Sequence, residues 1–397
     1  MLQNSDFSLL FPGTMPGTTE IPKACQPFDD EAVDFLNSLS ACILKDKESR
    51  YYPDVVTFAF FCRKANLLQL KKRHLPQGLR LGRGLVFHIA PGNVPVNFAY
   101  SLLSALLAGN SSIVKLSSKP FPQVDIIVRQ LFALAQNPVS RRIILLRYSH
   151  DTDCTEQFSA MADTRVIWGG DNTINLIRKS PLQPRATDIC FADRYSICAL
   201  KADAVLNADQ ATLSRLSENF YNDTYIFDQN ACSAPHLIVW VGNSPDCNNA
   251  RRIFWKNIHN ILLQRYSMQP VLAVDKLTNL YRQAIERGAS HNQTPDNLIV
   301  CSQLPALEPG IESLKCAGGF FSEYNAESLN EIVPIITKRY QTLAYYGFDR
   351  TTLTEFIVRN QPVGIDRIVP IGETSSFSLI WDGIDLISAL SREISVL

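Results

Sequence analysis

From Gly84 to Leu200 the chain alternates short apolar runs with stretches of helical period, and this alternation restricts the fold more than any other feature of its 397 residues. Gly84–Ala90 (GLVFHIA) suits a buried strand and is broken by Pro91-Gly92-Asn93-Val94-Pro95. Val96–Ala108 reads as a helix, with Gly109-Asn110 as its C-terminal stop. Ser112–Leu116 is the next strand, Ser117–Pro122 a loop and Pro122–Gln136 a helix. Arg142–Tyr148 is strand-like, Thr152–Met161 helical, and Arg165–Trp168 a strand followed by Gly169-Gly170 and a helix to about Lys179. Ile189–Leu200 is again strand-like, although Asp193-Arg194 interrupts it. Strands and helices alternating at this spacing predict βαβ units and a parallel, doubly wound α/β sheet, Rossmann-like in type. Such a sheet binds ligands beyond the carboxyl ends of its strands, which singles out the loops at 90–95, 116–122 and 168–172.

The flanking segments suggest a second lobe. Residues 1–27 are rich in Pro, Gly and Thr and read as an extended arm. From Phe28 the pattern is helical, with a second helical stretch at about 53–70. Beyond the sheet, a helix over 208–222 and a loop over 223–231 lead to Cys232 and the strand His236–Val241. Later strand-like returns fall at 368–371 and 377–381. The expected division is a cofactor-type domain at 28–203, a second α/β domain at 204–372 carrying Cys232, and a C-terminal return at 373–397.

Charge removes some function classes. Lys plus Arg and Asp plus Glu both number 38, so no long-range field draws in nucleic acid or an anionic membrane. The ten cysteines are scattered and form no CxxC pair, which matches neither a disulfide framework nor a zinc site. No metal-ligand motif is present. The start, MLQNSDFSLLFPG, lacks the basic and apolar regions of a signal peptide, and the longest apolar stretch, Phe98–Ala108, is too short to span a bilayer. These features predict a cytoplasmic protein of reduced thiols with no membrane span.

Several residues are candidates for chemistry, each with a plainer reading. Cys232 lies at a loop-to-strand junction, where a thiol can be both accessible and aimed; it can equally be core filler. Asn93 can donate to a developing oxyanion or simply make a turn. Lys115, Ser117, Ser118 and Lys119 suit a ribose and its phosphate, or a solvated loop. Gly169 and Gly170 let the backbone approach a pyrophosphate, with Asp171 as a helix cap. His236, four residues after Cys232, is a partner for the thiol or, more simply, a strand residue bonded to backbone.

Taken in order, the segments HIAPGNVPVNFAYSLLSALLAGNSSIVKLSSK (88–119), VIWGGDNTINLIR (166–178), QNACSAP (229–235), RYQTLAYYG (339–347), DRIVPIGE (366–373) and WDGIDLI (381–387) resemble the aldehyde dehydrogenase superfamily, and more closely the LuxC-type acyl-CoA reductases. The resemblance runs from about Phe28 to the C-terminus. It implies that Cys232 is the nucleophile, that Asn93 holds the oxyanion, that Lys115 contacts the adenosine ribose, and that Gly169 and Gly170 lie under the pyrophosphate or nicotinamide. Superfamily members that favour NAD often carry a glutamate where Ser118 stands; a serine leaves room for a 2′-phosphate and implies NADPH. The hydrolytic members' glutamate base is missing from the matching stretch, Asp188–Arg194, although Asp188 or Asp193 remains a candidate acid or base. The implied activity is NADPH-dependent reduction of a long-chain acyl-CoA or acyl-carrier thioester to an aldehyde through an acyl group on Cys232. The rivals are oxidation of an aldehyde by NAD(P), reduction of an acyl phosphate, and a non-catalytic subunit of an acyl-activating complex. The implied partners are an acyl-protein synthetase and further copies of the chain.

Overall fold

The computed structural model describes residues 7–14, 22–75, 77–149 and 151–396. The chain forms two compact units, Met1–Ala192 with Phe377–Leu397, and Asp193–Ser376.

In the first unit, β1 (Ser8–Phe11) precedes three helices, α1 (Asp30–Lys45), α2 (Pro53–Phe61) and α3 (Lys64–His74). The stretch read as one helix over 53–70 is thus two. There follow β2 (Leu79–Gly82), β3 (Leu85–Ile89), α4 (Asn97–Leu107), β4 (Ser111–Lys115), α5 (Pro122–Phe132), β5 (Ile143–Arg147), α6 (Cys154–Met161), β6 (Thr164–Trp168), α7 (Asp171–Ile177) and β7 (Thr187–Phe191). The sheet order is β1-β5-β4-β3-β6-β7, and every pair is parallel except β1 with β5. β3, β4 and β6 are buried throughout, as expected of strands covered on both faces. Residues 8–11 are not the loose arm expected from composition. The segment pairs antiparallel with β5 and closes its open edge, with a register shift between Leu9 and Phe11 that leaves Leu9 exposed while Phe7 and Phe11 are buried.

The second unit contains β8 (Tyr195–Lys201), α8 (Ala202–Leu206), α9 (Gln210–Thr224), β9 (Pro235–Val241), α10 (Ser244–Arg265), α11 (Pro270–Arg287), β10 (Ser290–Gln293), β11 (Val300–Gln303), β12 (Phe320–Ala326), β13 (Tyr340–Tyr346), α12 (Arg350–Asn360) and β14 (Arg367–Pro370). Its sheet order is β10-β11-β12-β9-β8-β13-β14, parallel except for β10 with β11. The expected domain junction near residue 203 therefore moves to Ala192/Asp193. The apolar run Ile189–Leu200 holds two strands, because β7 pairs with β6 while β8 pairs with β9 and β13. The Asp193-Arg194 interruption marks the passage between units.

After Ser376 the chain returns to the first unit as β15 (Ile380–Trp381), β16 (Ile384–Asp385), α13 (Leu386–Ala389) and β17 (Ser391–Ile394). β17 pairs antiparallel with β2 of the same chain, and Asn110 Nδ2 donates to Leu390 O at 2.8 Å. Among the described residues, no helix is long and apolar enough to cross a membrane.

Candidate active site

In the first sheet the chain runs β3, β4, β5 towards one edge, then crosses back to place β6 and β7 on the other side of β3. That reversal is a topological switch point, and it opens a crevice beyond the carboxyl ends of β3 and β6. A buried polar chain fixes the strands beneath it. Trp168 Nε1 donates to Ser101 Oγ at 3.0 Å. Ser101 Oγ lies 2.7 Å from His88 Nδ1, and His88 Nε2 lies 3.3 Å from Ser112 Oγ. An indole nitrogen can only donate, so Ser101 Oγ accepts from Trp168, and the neutral His88 ring donates from one nitrogen and accepts at the other between Ser101 and Ser112. Burial lowers the His88 pKa to about 3, which keeps the ring neutral.

Asn93 is exposed in the loop between β3 and α4. A Cβ on its neighbour Gly92 would lie 3.3 Å from Ser117 Oγ, so this loop runs against the one that follows β4. Lys115 ends β4 and is 7% exposed. Its Nζ lies 5.6 Å from the centroid of the Tyr148 ring, and burial lowers its pKa. Among the described residues, no carboxylate forms an ion pair with it. Arg147 Nε donates to Ser117 O at 3.0 Å, and Lys119 N donates to Ser117 Oγ at 3.2 Å, so the Ser117 turn is tied down while Ser118 and Lys119 are exposed.

Gly169 and Gly170 join β6 to α7. Gly170, not Asp171, is the cap residue; Asp171 begins the helix, where its charge complements the helix dipole. Gly170 has φ −68° and ψ 161°, a conformation open to any residue, and a Cβ there would meet nothing within 4 Å. Among the described residues, neither strain nor packing demands glycine at 170. A group that approaches the backbone closely would.

Cys232 belongs to the second unit, in the loop between α9 and β9. It is partly exposed, whereas Cys62, Cys154, Cys198, Cys247, Cys301 and Cys316 are buried. Burial drives the thiol pKa values of Cys62, Cys198 and Cys301 well above the ordinary range. Among the other partly exposed thiols, Cys190 is shifted up by burial and Cys25 accepts from Arg142 Nη2 at 2.8 Å. Two consecutive non-glycine residues of the Cys232 loop, Asp228 (φ 50°) and Gln229 (φ 61°), adopt left-handed backbone. Such strain persists where the surroundings over-determine the loop. Here they do. Gln229 is buried, and its amide donates to Pro235 O at 2.9 Å and Phe320 O at 3.0 Å while accepting from Gly319 N at 3.0 Å and Phe320 N at 3.1 Å. Tyr266 Oη donates to Asp228 Oδ1 at 2.7 Å, and Ser196 Oγ donates to Cys232 O at 2.8 Å.

His236 follows its plainer reading. Its Nδ1 lies 3.2 Å from Cys316 O, an acceptor, so Nδ1 carries the proton, and its ring stacks on Tyr195. Burial, with a smaller contribution from Lys315, lowers its pKa to about 3. The two aspartates kept as candidate acids or bases are committed elsewhere. Asp188 sits near the amino end of β7, away from the crevice edge, and takes both Nε and Nη2 of buried Arg165 at 3.0 and 2.9 Å. Asp193 is 2.7 Å from Lys315 Nζ. Gln229, Ser196 and the His88–Ser101–Trp168 chain escaped the sequence reading, since an interior Gln or Ser carries no pattern that names its partner.

The fold is that of the aldehyde dehydrogenases. A Thermus thermophilus 1-pyrroline-5-carboxylate dehydrogenase superposes with a TM-score of 0.63 at 12% identity, covering 92% of this chain and 80% of that one. An NAD-dependent benzaldehyde dehydrogenase from Corynebacterium glutamicum gives 0.63 at 14% identity, covering 93% and 85%. Within that fold, the family model for acyl-CoA reductase (LuxC) matches residues 63–393, and the chain belongs to this family. Similar curated proteins include long-chain acyl-protein thioester reductase 2 of Photobacterium leiognathi, 29% identical over 332 residues (78% of this chain, 64% of the relative). The long-chain acyl-protein thioester reductase of Vibrio harveyi is 24% identical over 318 residues (76% and 62%). The chain thus spans less than two thirds of the length of these relatives.

Fold and family together imply a nicotinamide cofactor, and the first unit's residues fit one. Gly170 leaves open space against bare backbone, and Lys115 is a buried cation with no carboxylate partner among the described residues, both on the switch-point side of the sheet.

Proposed function

We propose that this chain reduces a long-chain acyl thioester, carried by CoA, a carrier protein or an acylated synthetase, to an aldehyde, with Cys232 holding the acyl group between the two half-reactions. The observation that carries the reading is the presentation of Cys232: a partly exposed thiol on a strained loop that Gln229 bolts in place, in a chain of the acyl-CoA reductase family.

The Cys232 thiolate adds to the thioester carbonyl. A new C–S bond forms, the carbonyl electrons move to oxygen, and the family register assigns Asn93 to that oxyanion. Collapse breaks the original C–S bond and releases the donor thiolate. NADPH, when bound, supplies the hydride that reduces the enzyme-held thioester. Breaking the C–S bond to Cys232 then frees the aldehyde and restores the thiolate. Lys115 and the turn Ser117–Lys119 would hold the adenosine ribose and its 2′-phosphate, and Gly169 and Gly170 would admit the pyrophosphate or nicotinamide. Discharge by hydride rather than by water is supported by the engagement of Asp188 with Arg165 and of Asp193 with Lys315.

The test is NADPH oxidation with decanoyl- or tetradecanoyl-CoA, alongside mass spectrometry of the protein after exposure to the thioester without NADPH. Wild type should gain one acyl mass and produce aldehyde. Cys232→Ala should do neither, and equal rates in the two proteins would remove Cys232 from the reaction. Oxidation of the aldehyde to acid with NAD, and no thioester reduction, would reassign the chain as a dehydrogenase.

A further inference from the structure

Helix α11 departs from the usual design of a surface helix. One face anchors it to its own unit. Lys276 is buried and donates to Asn297 O and to Gly318 O, the latter at 2.6 Å. Gln283 is buried and donates to Ser322 Oγ at 2.9 Å, and Leu280 packs with Val300 and Phe320. The opposite face, which would ordinarily be polar, carries Val271, Val274, Leu277, Tyr281 and Ile285, each 50–83% exposed. An apolar stripe of this length on one side of one helix marks an interaction surface.

Its spacing and charges indicate the occupant. Val271, Val274, Thr278, Tyr281 and Ile285 follow one another at intervals of 3, 4, 3 and 4, the a/d seam of two heptads. A helix of like geometry fits such a seam. Lys276 and Gln283 then occupy the outermost heptad position and face the helix's own core. Asp275 and Arg282 take the e position on one flank. If two copies of α11 run antiparallel, a single register satisfies both seam and flank. Thr278 layers with Tyr281 of the partner subunit, and Val274 with Ile285 of the partner subunit. Asp275 then faces the partner subunit's Arg282, and twofold symmetry repeats that pair. Arg282 is also 3.5 Å from Glu286, an exposed pair one turn along the same helix that holds it only weakly. A membrane surface fits poorly, because the charges that border the stripe, Asp275, Arg282 and Glu286, are of mixed sign and not a basic fringe.

We propose that α11 forms a self-complementary, antiparallel dimer interface between two copies of this chain. The proposal is independent of the chemistry assigned to Cys232. Sedimentation velocity and light scattering on the full chain test it. Wild type should show an assembly that Val274→Glu with Ile285→Glu reduces to a lower state, with circular dichroism unchanged because both side chains are exposed in the single chain. Arg282→Asp alone should raise the dissociation constant at least tenfold, and adding Asp275→Arg should restore it, since the swapped pair remains complementary. A wild type that stays monomeric at micromolar concentration, an assembly that survives the double glutamate variant, or a charge swap that fails to rescue would each overturn it. Pelleting of wild type with anionic phosphatidylserine vesicles, lost in the double variant, would give the face to a membrane instead.

Discussion

Gln229 and Phe320 bond to one another in both directions: the Gln229 amide donates to Phe320 O at 3.0 Å, and Phe320 N donates to Gln229 Oε1 at 3.1 Å. This reciprocal clamp joins the loop that carries Cys232 to the first residue of β12, 91 residues later in the chain.

Replacing Gln229 with Ala leaves the Gly319 and Phe320 N–H groups and the Pro235 and Phe320 carbonyls without those partners. A buried polar group left unpaired costs about 1–3 kcal/mol, so the variant should lose roughly 2–4 kcal/mol by denaturant titration. Its Cys232 should also show a changed rate and pH profile of alkylation, because the strained loop would relax. Gln229→Glu keeps the shape and loses both donors, and should fall closer to Ala than to wild type. An unchanged alkylation profile in both would reduce Gln229 to a stability role.

At Gly170 the proposed cofactor contact can be tested apart from folding. The backbone there suits any residue and the space is open, so Gly170→Val should leave the unfolding free energy within about 1 kcal/mol of wild type. Affinity for NADPH, read by calorimetry, should fall about tenfold or more. Equal affinity would show that nothing approaches this backbone.

Ser118 is exposed and sits on the turn held by Arg147. Ser118→Glu would place a carboxylate where the proposed 2′-phosphate lies. The ratio of kcat/KM for NADPH over NADH should drop by about tenfold or more, equivalent to ~1.4 kcal/mol of like-charge discrimination. A constant ratio would dissociate Ser118 from cofactor choice.

Stability should fall in acid because of two histidines. His88 and His236 are held near pKa 3 by burial against an ordinary 6.5. The unfolded chain therefore binds more protons than the folded one between those values, and the contribution of each is intact above pH ~6.5 and lost as pH falls towards ~3. At pH ~5 each should cost about 2 kcal/mol. Asp223 acts oppositely: burial raises its pKa from 3.8 to about 6, so the folded state holds its proton more tightly and loses stability as pH rises through ~4–6. Urea titrations across this range should show His88→Gln with a shallower acid loss than wild type. Parallel curves would mean that His88 does not titrate on unfolding.

The sequence by itself determined much of what is local. Short apolar runs giving way to stretches of period 3.6 suffice to recognise β3 to β6, their intervening helices and the loops at the carboxyl ends of the strands. It also singled out Cys232, Asn93, Lys115 and Gly169-Gly170, because loop position and residue type are visible in the chain. Periodicity does not name a partner. Ile189–Leu200 reads as one apolar segment, yet its halves join different sheets, a choice made by pairing with Val166 on one side and with Ile238 and Ala344 on the other. Gln229 meets Phe320, Arg165 closes on Asp188, and His88 lies between Ser101 and Ser112. Residue type suggests that each of these polar groups needs a partner; only the packed tertiary structure, by bringing distant segments within 3 Å or so, decides which one it finds. That decision holds the Cys232 loop in its left-handed conformation and joins Asp188 to Arg165.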